Sequence, residues 1–79
     1  MSTKAYVLIE TAVGKTRDVL MSLRNAPNIS VVDAVTGPYD IIAVVEADDL
    51  NSVGDLVTGH IHPIGGIVRT VTCLSVSVR

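Results

Sequence analysis

The stretch that decides the fold is ISVVDAVTGPYDIIAVVEA, residues 29–47. Two apolar runs, ISVVDAV and IIAVVEA, enclose the segment TGPYD. β-Branched residues favour strands, and Gly37 and Pro38 favour a tight turn. The stretch therefore predicts two consecutive strands, 29–35 and 39–47, joined as a hairpin. Alternation along the first strand places one set of residues on a single side: Ile29, Val31, Asp33 and Val35.

Upstream of the hairpin, KAYVLIE at 4–10 predicts a first strand. Residues 14–26 predict a helix, because apolar residues recur there at the helical period. Pro27 ends that helix. The residues that share its inner face are Thr16, Val19, Leu20 and Leu23.

Downstream of the hairpin, Asp48 or Asp49 is placed to cap a second helix. Its inner face is predicted from the spacing of five apolar residues: Leu50, Val53, Leu56, Val57 and Ile61. The PIGG turn at 63–66 ends this helix, and residues 67–78 predict the last strand. The residues expected on one face of that strand are Thr70, Thr72, Leu74, Val76 and Val78.

The order of elements is β-α-β-β-α-β, which predicts a single α+β domain over residues 1–79. Two right-handed crossovers interleave in this order and give a ferredoxin-like fold, a four-stranded antiparallel sheet with both helices on one face. The other face of the sheet should then be polar in a monomer. Instead, Ile42 and Val44 alternate with Ile41 and Val45, so the third strand is apolar on both sides. We therefore expect a dimer packed sheet to sheet.

Composition and charge narrow the function classes. The net charge is −2, the six basic residues are scattered, and there is no Phe or Trp to stack on bases, so we expect no direct nucleic-acid binding. No apolar stretch is long enough for a membrane helix, and we expect no signal peptide. The lone Cys73 excludes an intrachain disulfide, and we expect it to be a small core residue in a cytoplasmic protein.

The sequence offers little support for an enzyme. His60 and His62 have no third metal ligand nearby, and a solvated helix terminus is the expected place for them. Asp48 and Asp49 are adjacent carboxylates at a helix start, where capping is their ordinary role. No nucleophile motif or phosphate-binding glycine loop is present. We therefore expect no catalysis, no cofactor and no metal.

The segment TGPYD has two interpretations. It is either a hairpin tip of ordinary composition, or one wall of a binding site in which Asp40 accepts an ammonium group and Tyr39 offers a ring and a hydroxyl. Thr70 and Thr72 share one face of the last strand, where their hydroxyls could bind a carboxylate or an amide. Sequence leaves open whether these groups meet in one subunit or across an interface.

The stretches VTGPYDIIAVVEADD at 35–49 and GGIVRTVTCLSV at 65–76 resemble the effector-binding RAM domain of the Lrp/AsnC family of feast/famine transcription regulators. The family has a Gly-x-Tyr/Phe-Asp turn before its third strand. It also has a Gly-Val-x-x-Thr-x-Thr start to its fourth, where this chain has Ile67 in place of valine.

The resemblance implies a dimeric α/β barrel whose dimers assemble into rings, commonly octamers. It also implies an amino-acid effector bound at or near contacts between dimers. The effector residues carried over by motif position are Gly37, Pro38, Tyr39, Asp40, Thr70 and Thr72. Full-length members carry a helix-turn-helix domain before this unit. Met1 precedes the first strand so closely that a stand-alone RAM protein is expected, with a full-length regulator as a candidate partner.

Two alternatives use the same topology. Small dimeric α/β-barrel enzymes, such as cofactor-free monooxygenases, have a cavity between helices and sheet, which would here be lined by His60 or His62. ACT-like domains are amino-acid sensors that pair side by side, and the geometry of the dimer distinguishes them from a RAM domain.

Overall fold

The structure is a computed structural model, and it describes residues 2–76. Its elements follow the predicted order: β1 Thr3–Thr11, α1 Thr16–Arg24, β2 Ile29–Ala34, β3 Ile41–Ala47, α2 Leu50–Leu56 and β4 Ile67–Leu74. One turn of π-helix, Val57–Ile61, continues α2. Neither helix is long and apolar enough to cross a membrane.

The four strands form one antiparallel sheet in the order β2-β3-β1-β4. β1 and β3 are therefore the central pair. The sequence predicts β3 to be apolar on both sides, and in β1 Tyr6 and Leu8 alternate with Val7 and Ile9 in the same way. The register of this pair runs from Thr3 opposite Ala47 to Ile9 opposite Ile41. This arrangement confirms the predicted ferredoxin-like fold.

The core lies between the sheet and the two helices and is built only from aliphatic side chains. Every second residue of the central strands points into it, and no buried polar or charged residue occurs among residues 2–76. The core residues are Ala5, Val7, Ile9, Val19, Leu23, Ile41, Ala43, Val45, Val53, Leu56, Val57 and Ile61. We call the sheet surface that faces this core the closed face.

The second helix begins at the predicted cap. The Asp49 carboxylate accepts a hydrogen bond of 2.8 Å from the Ser52 backbone N–H, which lowers the pKa of Asp49, and the Ser52 hydroxyl lowers it further. At the other end the His62 N–H donates to the Val57 carbonyl at 2.9 Å, the wider spacing of a π-helix. The helical period predicts Leu50 on the inner face, but Leu50 is 58% exposed. It is the first residue of α2, and its side chain points back beyond the helix start.

A bulge in β2 overturns the predicted alternation of that strand. Ile29 pairs with Val45 and Val31 with Val44, so the register shifts by one residue between them. Ile29 and Val32 consequently pack against the core, whereas Val31 faces away and is 45% exposed. The extra residue of a bulge reverses the faces on either side of it.

The last strand is shorter than predicted and ends at Leu74. The Ser75 N–H still donates to the Lys4 carbonyl at 2.9 Å, but β1 begins at Thr3 and offers no further partner beyond it. Val76 is exposed outside the strand, and Val78 lies outside the described residues. The prediction for Cys73 was wrong, because this residue pairs with Tyr6 on the surface away from the helices and is exposed.

The sheet surface opposite the helices, the open face, carries apolar side chains in two rows. Cross-strand pairing aligns the first row through all four strands: Val31, Val44, Tyr6 and Cys73. The second row contains Ile42, Leu8 and Val71, with Asp33 at its β2 end. The rows are bounded at one end by Lys4 opposite Glu46 and at the other by Glu10 opposite Arg69.

Candidate functional site

The loop between β2 and β3 is held at both ends by backbone hydrogen bonds. The Val35 N–H donates to the Asp40 carbonyl, and the Asp40 N–H donates to the Ile9 carbonyl, both at 2.9 Å. Gly37 has φ +141°, a conformation that favours glycine and agrees with the turn predicted at this position. β3 begins at Ile41 rather than Tyr39, so Tyr39 and Asp40 belong to the loop.

Asp40 joins three segments of the chain. Its Oδ2 accepts from the Thr11 N–H at 2.8 Å and from the Thr11 hydroxyl at 3.2 Å. The Thr11 hydroxyl also lies 2.7 Å from the Thr16 hydroxyl. Since Thr11 has one hydroxyl proton, which it donates to Asp40, Thr16 is the donor in that second bond. This carboxylate oxygen therefore fixes the loop to the end of β1 and the start of α1.

Tyr39 points to the open face, where it meets the side chain of Arg69 from β4. Arg69 Nη2 donates to the Tyr39 hydroxyl at 3.0 Å, and the guanidinium carbon lies 5.5 Å from the centre of the Tyr39 ring. Arg69 Nε is 3.7 Å from the carboxylate of Glu10, its cross-strand neighbour on β1. We call Tyr39, Arg69 and Glu10 the rim cluster. It connects the two sequence stretches on which the resemblance depends.

The two threonines lie on the closed-face side of β4. Thr70 pairs with Ile9 and Thr72 with Val7, both of which are core residues of β1. The Thr70 hydroxyl lies 3.1 Å from His62 Nε2, so His62 is hydrogen bonded rather than only solvated as expected. Thr72 is exposed, because neither helix extends over β4 at this point.

The six predicted effector residues therefore form two groups. Gly37, Pro38, Tyr39 and Asp40 lie in the loop before β3, and Thr70 and Thr72 lie on β4, with β1 between the two strands. Two strand spacings separate the backbones of the groups by about 10 Å. Tyr39 meets Arg69 on the open-face side of β4, whereas Thr70 and Thr72 lie on its closed-face side, so the two groups do not converge on a small ligand within one copy.

Sequence reasoning missed the residues that hold the loop in place. Arg69 lies inside a quoted motif, and only its position opposite Glu10 in the register would have indicated its role.

The backbone requires glycine at position 66, where φ is +99°. A Cβ added at Gly66 would lie 2.9 Å from Lys15 Cβ and 3.0 Å from Val19 Cγ2. Glycine is therefore needed for the turn before β4 to pack on α1.

Two surface depressions lie at the opposite end of the sheet from the loop. The larger, of about 360 Å³, is lined by Ser2, Asn28, Glu46, Ala47, Asp48 and Ser52. The smaller, of about 230 Å³, is lined by Asn28, Ser52, Asp55, Leu56 and His60. Neither contains a predicted effector residue. The space between helices and sheet contains the aliphatic core, and His60, which the enzyme alternative would place in an internal cavity, lines the smaller surface depression.

Comparison with known proteins gives matches along almost the whole chain. The family profile described as the Lrp/AsnC ligand binding domain matches residues 4–78. An uncharacterized HTH-type transcriptional regulator from Pyrococcus abyssi is 31% identical over 75 residues, which cover 95% of this chain and 48% of the regulator. The chain thus spans about half the length of the curated relatives it matches.

Solved structures give the same result for the fold. A protein from Thermus thermophilus is 31% identical with a TM-score of 0.90, covering 98% of this chain and 96% of that one. A transcriptional regulator from Neisseria meningitidis, solved as an L-Met complex, has a TM-score of 0.84. That likeness covers 95% of this chain and 50% of the regulator at 17% identity, so it concerns the fold alone.

Proposed function

This chain belongs to the Lrp/AsnC ligand-binding domain family, and we propose that it is a non-catalytic module that binds an amino-acid effector and assembles with copies of itself. The observation that carries the proposal is the open face, where one apolar row extends across all four strands and a second across β3, β1 and β4. An effector bound where copies meet would shift the balance between assemblies, because its affinity differs between them.

The open face supports assembly by its composition and its order. Tyr6, Val31 and Val71 are between 37% and 45% exposed, although each has apolar cross-strand neighbours on this face. A contiguous apolar patch of this kind marks an interaction surface in most proteins. A second copy of the same sheet offers complementary rows and the same charged ends. We therefore propose a homodimer packed sheet to sheet, and a ring of dimers, with eight copies as the expected number.

The separation of the two effector groups supports a site shared between copies. Tyr39 on the loop and Thr72 on β4 lie on opposite sides of β1, but both are accessible to a neighbouring copy. We propose that the loop of one copy and the threonine pair of another enclose the effector. An amino acid is the proposed ligand class, since hydroxyls and a tyrosine ring suit a small polar molecule. The fold relative from N. meningitidis was solved with such a ligand.

Titration with the twenty amino acids, followed by thermal shift and sedimentation velocity, tests the proposal. We expect at least one amino acid to raise the melting temperature and to change the distribution of oligomers. Thr72→Val should weaken that response, and Thr58→Val, at an exposed threonine of the π-helical turn, is the matched control. Absence of any response from all twenty, in a protein that is monomeric at micromolar concentration, would reject the proposal.

We also propose a partner and a cellular location for this module. A full-length regulator of the family is the proposed heterotypic partner, which would take up this module through the open face. The cytoplasm is the proposed location. Co-purification of a regulator that carries a helix-turn-helix domain would support the partner. Pairing side by side through strand edges, with the open face still bare, would instead favour the ACT-like alternative.

A further inference from the structure

We infer that the rim cluster binds the two charges of the effector, with the Arg69 guanidinium binding its carboxylate and the Glu10 carboxylate binding its ammonium group. This inference rests on the proposed function and adds to it the groups that recognise a zwitterion. Neither Glu10 nor Arg69 belongs to the six effector residues expected from the resemblance. Both are brought to the loop by their register in the sheet.

The donors of Arg69 are largely unused within the described residues. A guanidinium has five N–H donors in a planar fork that matches a carboxylate. One of them is used in the 3.0 Å bond to the Tyr39 hydroxyl. The nearest approach to Glu10 is 3.7 Å, longer than a hydrogen bond between charged groups. The side chain is 60% exposed, so its remaining donors can reach a ligand.

The orientation of Arg69 is nevertheless defined. The bond to Tyr39 fixes one end of the fork, and the Tyr39 ring lies 5.5 Å from the guanidinium carbon. A fork held in this way loses less side-chain freedom when it binds a carboxylate than a free arginine would. Because Tyr39 accepts this bond, its own hydroxyl proton remains available to a ligand oxygen.

Glu10 supplies the opposite charge beside this fork. Its side chain is 43% exposed, and among the described residues its carboxylate makes only the long contact with Arg69. An exposed ion pair of this length adds little to stability, so its separation costs little when a ligand inserts. An α-amino acid carries its ammonium and carboxylate groups on one carbon. Two opposite charges side by side at the edge of a sheet are complementary in sign to that pair of groups.

The opposite end of the open face provides an internal comparison. Lys4 lies with its Nζ 5.3 Å from the centre of the Tyr6 ring and opposes Glu46 across the sheet. It therefore combines the same three types of group, a cation, an aromatic ring and a carboxylate. However, lysine is a point charge rather than a fork, and the loop before β3 lies at the other end. Lys4→Gln removes the same charge from the same face without touching the rim cluster.

The test compares one amino acid with its own derivatives by calorimetry. The tightest binder of the twenty, its α-carboxamide and its N-acetyl form are titrated into wild type, Arg69→Gln, Glu10→Gln and Lys4→Gln. We expect Arg69→Gln to weaken binding of the free amino acid by about 10- to 100-fold, the range for a charge-assisted hydrogen bond. The same variant should leave the carboxamide almost unchanged. Glu10→Gln should weaken binding of the free amino acid but not binding of its N-acetyl form.

The outcomes separate this inference from the proposed function. Suppose that an amino acid binds wild type, but that Arg69→Gln reduces the affinity no more than Lys4→Gln does. The charge-binding role of the rim cluster is then rejected, whereas the proposed function is retained. Equal losses for the amino acid and its carboxamide likewise reject it, because they indicate a structural change. If no amino acid binds wild type, both proposals fail. Sedimentation of each unliganded variant checks that assembly is unchanged.

Discussion

The two faces of the sheet use the same strands and nearly the same residue types, but they differ in what covers them. In β1, Ala5, Val7 and Ile9 are fully buried, whereas Tyr6 between them is 38% exposed and Leu8 is only partly covered. Two helices cover the first set, and none of the described residues covers the second. The closed face therefore supplies stability to one copy, and the open face leaves apolar surface for association. Hydrophobicity alone does not distinguish these roles.

Neighbouring residues on opposite faces provide the sharpest test of this difference. Ile9→Ala removes a fully buried side chain and should lower the free energy of unfolding by about 2–5 kcal/mol. Leu8→Ala should lower the free energy of unfolding of a single copy by less, and it should act mainly by weakening association. Urea unfolding at several protein concentrations measures both. Equal losses of unfolding free energy in the two variants, independent of protein concentration, would contradict this difference between the faces.

A charge on the open face should dissociate copies without unfolding them. Ile42→Glu places a carboxylate in the second row, between Leu8 and Asp33, where a partner sheet would have to bury it. We expect a loss of association of about 100-fold or more, equivalent to about 3 kcal/mol. Sedimentation equilibrium measures it, with Val13→Glu, a fully exposed residue outside the sheet, as control. A variant that associates as wild type does would show that the open face is no interface.

Gly66 tests how closely the closed face is packed at its edge. Gly66→Ala combines a positive φ with a Cβ only 2.9 Å from Lys15 Cβ, and should destabilise by about 1–3 kcal/mol. A methyl group added at the adjacent Gly65 would meet no heavy atom within 4 Å. Gly65→Ala is therefore the matched control and should be close to neutral. Thermal melts of the two variants should differ clearly, and identical melting temperatures would contradict the packing described.

The smallest expected effect concerns the cap of the helix that covers the closed face. Because hydrogen bonds from Ser52 lower the pKa of Asp49 in the folded state, the cap stabilises fully above the unfolded pKa. That contribution is lost as the pH falls through the lower folded pKa. The melting temperature of wild type relative to Asp49→Asn should therefore decrease below about pH 4, the ordinary range of an aspartate. A difference that stays constant from pH 7 to 3 would exclude this role.

Most of the fold could be predicted from the sequence because its signals are local. Gly37 and Pro38 mark the turn, Asp49 marks the start of α2, and alternation marks the central strands. The β2 bulge was not predicted, because no glycine or proline marks Ser30. Cys73 was misplaced for a different reason. Alternation groups residues by face but does not say which face the helices cover.

The candidate site was only partly predictable, since its contacts join distant positions. Tyr39 and Asp40 were found from their motif. Arg69 lies 30 residues from Tyr39, and Thr11 lies 29 from Asp40, so no local pattern indicates either contact. Both depend on the register of β1 with its neighbours. β1 separates Thr70 from the loop, and this separation could be recognised only from the strand order of the folded sheet.

The Asp40 carboxylate also has a consequence for folding kinetics. It joins residues 29 apart through Thr11, and we expect this bond to form only after β1 and β3 have paired. An interaction made that late contributes little to the folding transition state and acts mainly on the unfolding rate. We therefore expect the contact that holds the proposed effector loop to slow unfolding of each copy rather than to speed its folding.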